Sequence, residues 1–165
     1  MAITNLTELY VDQLQDIYSA NRQSLEATKK LREKASESDL KSALDDGVKG
    51  IEDGLNQVKS LIEKHDADPT GEFCKGMEGL VKEAKAHAID APIEDKDVRD
   101  ASIITQYQRM VHYGIAGYGT AHAFAKRLGL NDDAATIGKC LDETYDGDRR
   151  MTEIASREVN EAAAA

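Results

Sequence analysis

The sequence has no tryptophan, only two prolines (Pro69 and Pro92) and only two cysteines among 165 residues. No run of 18 apolar residues occurs, so no membrane-spanning helix is predicted. The first residues lack the basic start and apolar block of a secretory signal. Cys74 and Cys140 match no paired metal spacing, so two reduced, mostly buried thiols are expected. The expected compartment is therefore the cytoplasm.

Positive charge is also scarce: the sequence has 21 basic and 31 acidic residues, which gives a net charge of −10. A nucleic-acid partner is not expected, since a phosphate backbone requires a basic face that displaces its counterions. An anionic membrane surface is disfavoured for the same reason. The charged fraction of 32% and the hydrophobic fraction of 41% are typical of a globular protein. The length corresponds to one domain, residues 1–165, that can bury its own core.

The patterns that are present are helical, and no strand-like alternation of useful length interrupts them. Helix starts, breaks and apolar stripes predict helices over about 5–34, 38–65, 72–89, 97–127 and 132–160. Asn5 and Asp97 are the predicted N-caps of the first and fourth helices. The fourth is the least charged long segment, and we expect the other helices to pack around it. Its apolar stripe comprises Ile104, Tyr107, Val111, Ile115, Tyr118, His122 and Ala125.

The order of these elements predicts an all-α, ferritin-like four-helix bundle. Two antiparallel helix hairpins are joined by a long crossover that carries the short fifth helix. Gly47, Gly50 and Gly54 fall inside the second long helix, where each destabilises by about 1 kcal/mol relative to alanine. Either a neighbouring backbone approaches closely there, or these positions once held larger residues whose role was lost.

Several segments resemble the YciE/YciF-like branch of the ferritin-like superfamily, in the same order and at similar spacing. The most specific are Tyr18-Ser-Ala, Cys74-x-x-Met77-Glu-Gly-Leu, Val98-Arg-Asp-Ala and His112-Tyr113 followed by Ile115-Ala and Tyr118-Gly-Thr. The resemblance implies a helical bundle, often a homodimer, from bacteria and linked to stress. It also implies a di-metal site built from one Glu on each of two helices and a Glu-x-x-His pair on each of the others. Carboxylates are required there because they bridge and neutralise two cations.

The sequence departs from that pattern on all four long helices, and Glu-x-x-His does not occur. Asn21 stands where the family has the Glu of Tyr-Ser-Ala-Glu, and Lys49 stands at a family Glu. Val111 and Gly114 replace both glutamates around His112-Tyr113. We therefore expect no metal. The vestigial-site positions are Asn21, Lys49, Glu52, Val111, His112, Gly114, Thr144 and Asp148.

The remaining polar candidates have simple structural interpretations. Asp148 is expected to pair inside the bundle with Lys49, Arg22 or a tyrosine hydroxyl, and His112 to be satisfied or interfacial. No catalytic residue is predicted, because no nucleophile–base pair, glycine-rich phosphate loop or Cys-x-x-Cys is present. The glycines could leave room for a small pocket lined by Tyr18, Tyr107, Tyr113 and Tyr118.

The sequence leaves three functions open. The first is a non-catalytic, stress-associated bundle, expected to be a homodimer, that binds a protein or a small ligand. The second is a metal-dependent oxidase, or an iron- or peroxide-handling protein, with a di-iron or di-manganese site rearranged from Glu52, His112, Glu143 and Asp148. The third is a structural partner of a metal-competent paralogue.

Overall fold

The computed structural model describes residues 2–165, and these residues form an all-α bundle. The four long helices are α1 (Leu6–Lys34), α2 (Ser38–Lys64), α4 (Lys96–Arg127) and α5 (Asn131–Ile154). The crossover helix α3 (Lys75–Ala84) continues as a π-helical turn over Lys85–Ile89. A second π-helical turn, Ala155–Val159, leads from α5 to the short α6 (Asn160–Ala163). The predicted all-α fold is confirmed.

Three helix ends show how local chemistry sets these bounds. Asn5 caps α1 as predicted, and its side chain accepts a hydrogen bond from the Glu8 amide at 2.9 Å. The predicted cap Asp97 is wrong, because α4 begins at Lys96 and Asp95 accepts from the amides of Asp97 and Val98. Asp97 instead places its charge in the first turn, where the helix dipole favours an acid. Gly129 ends α4 with a φ of 72°, as a left-handed terminal glycine.

Turns of three residues join α1 to α2 and α4 to α5, which makes each pair an antiparallel hairpin. The fully buried Asp100 on α4 fastens the two hairpins together. Its two carboxylate oxygens accept from the Ser36 and Glu37 amides at 2.8 Å each, just ahead of α2. Arg99 anchors the crossover by donating to carbonyl oxygens between Ala88 and Ile93.

The hydrophobic core consists of two clusters. One contains Leu31, Leu44, Ile103 and Met151, and the other contains Tyr10, Leu14, Val58, Ile62 and Ile137. Residues of both clusters line a single cavity in the middle of the bundle. Within residues 2–165, none of the helices combines the length and the apolar character that crossing a bilayer requires.

Candidate functional site

The cavity has a volume of about 430 Å³ and is enclosed by the four long helices, with Met77 of α3 contributing to the wall. Its apolar wall includes Ile17, Ala20 and Met110. All the charged residues that line it lie at the mouth between α2 and α5, where they are exposed or half-buried. They are Asp46, Lys49, Asp53, Glu143, Asp146 and Arg150. The interior is therefore uncharged.

Three hydroxyl side chains of the cavity wall donate hydrogen bonds to backbone carbonyl oxygens of their own helices. Ser24 donates to the Asn21 carbonyl at 3.2 Å, and Thr28 donates to the Ser24 carbonyl at 2.7 Å. Thr144 on α5 donates to the Cys140 carbonyl at 2.6 Å. Hydroxyls that bond back to the helix satisfy their own donors. These three side chains therefore offer lone pairs, not donors, to anything in the cavity.

Two tyrosine hydroxyls on α4, in contrast, still have a hydrogen to donate. The Asn21 side-chain amide donates to the Tyr118 hydroxyl at 2.8 Å. Within residues 2–165, neither the Tyr118 hydroxyl nor the Tyr107 hydroxyl donates to an acceptor, although both residues are about 95% buried. Burial, helped by the charge of Asp148, raises the pKa of Tyr107 to about 12, and burial likewise raises the pKa of Tyr118. Both groups thus remain protonated donors at neutral pH.

The α2 glycines explain how these tyrosines fit. A Cβ atom added at Gly47 would lie 2.3 Å from the Tyr107 hydroxyl oxygen, and one at Gly54 would lie 2.6 Å from that of Tyr118. The close approach is therefore made by tyrosine side chains and not by a neighbouring backbone. Gly50 lies between them on the cavity wall, and a Cβ there would meet no atom within 4 Å.

Tyr113 also lines the cavity, but its hydroxyl is already used. It donates to Asp16 at 2.9 Å and accepts from the Cys74 thiol at 2.9 Å. The Cys74 sulfur in turn accepts from the Met77 amide and caps α3. Burial raises the pKa of Cys74, so the thiol keeps its proton. This chain of hydrogen bonds fastens the crossover helix to α1 and α4.

Comparison with known proteins places the chain in a family. Residues 5–164 match the family described as "Domain of unknown function (DUF892)". The chain belongs to this family. It is 29% identical to Protein YciF of Escherichia coli K12 over 164 residues, which are 99% of this chain and 98% of that protein.

Solved structures of two proteins match this DUF892 chain over nearly its whole length. The crystal structure of the E. coli stress protein YciF matches with a TM-score of 0.88 and 29% identity, covering 96% of this chain and 99% of the other. YcfI from Rhodopseudomonas palustris matches with a TM-score of 0.84 and 31% identity, covering 91% and 94%. The YciF-like resemblance predicted from the sequence is confirmed.

In this DUF892 chain, five of the eight vestigial-site positions line the cavity: Asn21, Lys49, Val111, Gly114 and Thr144. Of these, Lys49 is exposed at the mouth, so it does not supply a charge to the interior. The predicted pocket tyrosines Tyr107, Tyr113 and Tyr118 also line the cavity. Tyr18 does not, because it follows the inward-facing Ile17 by one helical step and lies beside Arg22, whose guanidinium carbon is 6.0 Å from the ring centroid.

The other three positions lie elsewhere. Glu52 is exposed and pairs with Lys29 at 3.3 Å on the outer surface. The predicted pairing of Asp148 with Lys49, Arg22 or a tyrosine hydroxyl is wrong. Its carboxylate lies 3.0 Å from the ring of His112 and accepts a hydrogen bond from Gln108 at 3.1 Å. Both partners are on α4, one helical turn apart, where α4 packs against α5. The structure therefore brings His112 and Asp148 together, but Glu52 pairs with Lys29 and Glu143 lies at the cavity mouth, so the four do not form one site.

Among residues 2–165, one set of three possible metal-ligating side chains has its donor atoms within 4.8 Å of one another: Glu37, Asp39 and Glu158. Glu37 and Asp39 lie at the start of α2 and Glu158 lies in the π-helical turn after α5, and none of the three lines the cavity. Glu37 already uses both carboxylate oxygens to accept from the Asp39 and Leu40 amides. The Glu37 carboxylate is therefore explained by helix capping, and its two neighbours are exposed acids.

Two features of the site escaped the sequence analysis. Cys140 lines the cavity, and burial raises the pKa of its thiol to about 11. Its position one turn before Thr144 is the signal that could have located it. Arg150 on α5 pairs with Asp46 on α2 across the mouth. Both are ordinary helix-surface charges in the sequence, so no pattern identifies that pair.

Proposed function

We propose that this chain is a non-catalytic, stress-associated bundle that binds a small molecule in its central cavity. The association with stress is carried over from YciF, which is described as a stress protein. The observation that carries the binding role is the uncharged cavity, which Tyr107 and Tyr118 line and where neither hydroxyl donates to a protein acceptor among residues 2–165. Hydroxyl donors that open onto a largely apolar space can be matched by the acceptor oxygens of a bound molecule. We also propose a cytoplasmic location and a homodimer.

The cavity residues do not fit the di-metal centre implied by the ferritin-like resemblance. The inward positions hold an amide, a valine, a glycine and a threonine hydroxyl, at Asn21, Val111, Gly114 and Thr144. Two divalent cations would be left without carboxylates to neutralise them, and an uncompensated buried charge is destabilising by several kcal/mol. The acids near the cavity lie at its mouth, in contact with solvent.

The metal half of this proposal is tested by elemental analysis of protein produced with added iron and manganese and purified without chelators. We expect far less than one metal per chain, and aerobic iron(II) oxidation no faster than in buffer. Two equivalents of metal per chain would overturn the proposal and favour an oxidase or an iron- or peroxide-handling protein. A structural role beside a metal-competent paralogue predicts instead that such a partner co-purifies with the chain.

The binding half is tested with durene, a small apolar ring, in calorimetry on wild-type protein and on Gly114→Leu. A leucine at position 114 would project into the cavity, where the nearest atom to an added Cβ is the Thr144 methyl carbon at 3.8 Å. We expect wild-type protein to bind durene and the variant to lose binding. Gly119→Leu is the matched control on the same helix outside the cavity, and it should bind as wild type does. Equal binding by both variants would contradict a ligand site in the cavity.

A further inference from the structure

The two unused donors of the cavity are separated by a distance that the glycines of α2 define. The Tyr107 hydroxyl rests against Gly47 and the Tyr118 hydroxyl against Gly54. A helix rises 1.5 Å per residue, so positions seven residues apart are about 10 Å apart along the axis. The two hydroxyl oxygens therefore lie beside two points about 10 Å apart along one wall of the cavity.

This separation limits what can bridge the two donors. A hydrogen bond between oxygens spans about 2.7 Å, so one bond at each end leaves roughly 5 Å between the two acceptors of a ligand. That is the span between carbonyl oxygens on opposite sides of a six-membered ring. The Asn21–Tyr118 pair supplies one unused donor whichever way the Asn21 amide is oriented. If the amide were reversed, Tyr118 would donate to its oxygen and the Asn21 nitrogen would supply the unused donor.

The wall between the donors suits a flat body. Gly50 lies midway along it, and no side chain projects there from α2. Ile17, Met110 and Val111 provide apolar surface elsewhere in the cavity. Aromatic rings and other flat apolar groups bury efficiently in such a space, and drug-sized ligands occupy cavities of this volume.

The charges indicate that the ligand is neutral. The interior has no charged side chain to pair with an ion, and burying an unpaired charge is strongly unfavourable. Four acids and two bases line the mouth, so the entrance has an excess of negative charge that opposes anions. One of the bases, Arg150, is already paired with Asp46.

We propose that the cavity binds an uncharged, planar six-membered ring with carbonyl oxygens on opposite sides, as in a para-quinone. Tyr107 donates to one oxygen, and the Asn21–Tyr118 pair donates to the other. This inference rests on the proposed function and specifies the ligand class of the same site.

The test compares two flat rings with the same four methyl groups, duroquinone and durene, of which duroquinone has carbonyl groups at the two positions where durene has ring C–H groups. Every ring carbon of duroquinone without an oxygen carries a methyl group, which blocks addition of the Cys140 thiol. Binding is measured by calorimetry and by quenching of tyrosine fluorescence in wild-type protein, Tyr107→Phe, Tyr118→Phe and the double variant. Tyr145→Phe, at an exposed position outside the cavity, is the control.

We expect wild-type protein to bind duroquinone at least tenfold more tightly than durene. Each Tyr→Phe change should weaken duroquinone binding by about fivefold, as loss of one neutral hydrogen bond does. The double variant should bind both rings equally. Durene affinity should be unchanged in every variant, which establishes that the cavity is intact.

Three outcomes would overturn the inference. If durene binds as tightly as duroquinone to wild-type protein, the ligand class is wrong while the small-molecule function stands. If the Tyr→Phe variants keep full duroquinone affinity, the hydroxyls are not the recognition groups. If neither ring binds, both this inference and the proposed binding function fail.

Discussion

At the scale of single residues, the group whose chemistry matters most to stability is Asp133 at the start of α5. It is completely buried, yet it accepts hydrogen bonds from Tyr10 at 3.0 Å and Lys64 at 2.6 Å and lies 2.8 Å from His65. Burial opposes ionisation of this carboxyl, but the bonds from Lys64, His65 and Tyr10 outweigh burial and lower its pKa. One carboxylate therefore ties α5 to α1 and to the end of α2.

Replacing Asp133 with asparagine should lower the free energy of unfolding at pH 7 by about 2 kcal/mol, since the buried Tyr10 hydroxyl and the largely buried His65 ring lose a charged partner, while the half-exposed Lys64 stays solvated. Because the folded pKa is below the unfolded value of about 3.9, the stabilisation is complete well above that value and is lost as pH falls through the folded pKa. The gap between wild type and Asp133→Asn should thus shrink below about pH 4. Urea unfolding, monitored by circular dichroism at pH 7 and at acid pH, measures this difference in the free energy of unfolding.

Asp132→Asn is the matched control, because Asp132 is adjacent in the chain, shares the first turn of α5 and is exposed. We expect it to change stability by less than about 0.5 kcal/mol. A pH-independent gap for Asp133→Asn, or equal effects of the two changes, would contradict the role given to the Asp133 carboxylate.

At the scale of elements, α2 shows why glycine is retained in a helix that would otherwise be more stable without it. Gly50→Ala places a Cβ in open space, so it should raise the free energy of unfolding by up to about 1 kcal/mol through helix propensity alone. Gly47→Ala and Gly54→Ala bring a methyl group against the Tyr107 and Tyr118 hydroxyls, so overpacking should make them less stable than Gly50→Ala by about 1–3 kcal/mol. Urea midpoints of the three variants test this order. Equal gains in all three would mean that the tyrosines move away without penalty.

The elements were predictable from the sequence to a greater extent than the contacts between them. Helical periodicity and caps such as Asn5 are local, so the helices and the hairpin order follow from neighbouring residues. Asn21 in an apolar stripe and the glycines of α2 were also local signals of an unusual core. The partners of Asp133 are far away in sequence, at Tyr10 and Lys64, and no local pattern identifies them.

The same limit explains the errors at the candidate site. Whether a tyrosine faces the cavity depends on about 100° of rotation per residue around the helix, and Tyr18 lies one step away from the inward-facing Ile17. Asp148 was expected in the interior, but the rotation of α5 against α4 brings it to His112 and Gln108. The uncharged residues Asn21, Val111 and Gly114 could be singled out from the sequence, whereas the shape of the space between them depends on the packing of four helices.

At the scale of the whole molecule, the Asn21–Tyr118 hydrogen bond links the two hairpins at the cavity between the two halves of the core. Asn21→Leu or Tyr118→Phe alone leaves one buried polar partner unsatisfied and should lower the free energy of unfolding by about 1–2 kcal/mol. Replacing both groups removes the polar pair together, so the double variant should be more stable than the sum of the single effects by about 1 kcal/mol. The double variant should also bind duroquinone about fivefold more weakly, because only the Tyr107 donor is left. Asn21→Leu combined with Tyr145→Phe is the control, and its effects should add. Additive effects in the Asn21–Tyr118 pair would mean that the bond contributes nothing to holding the hairpins together.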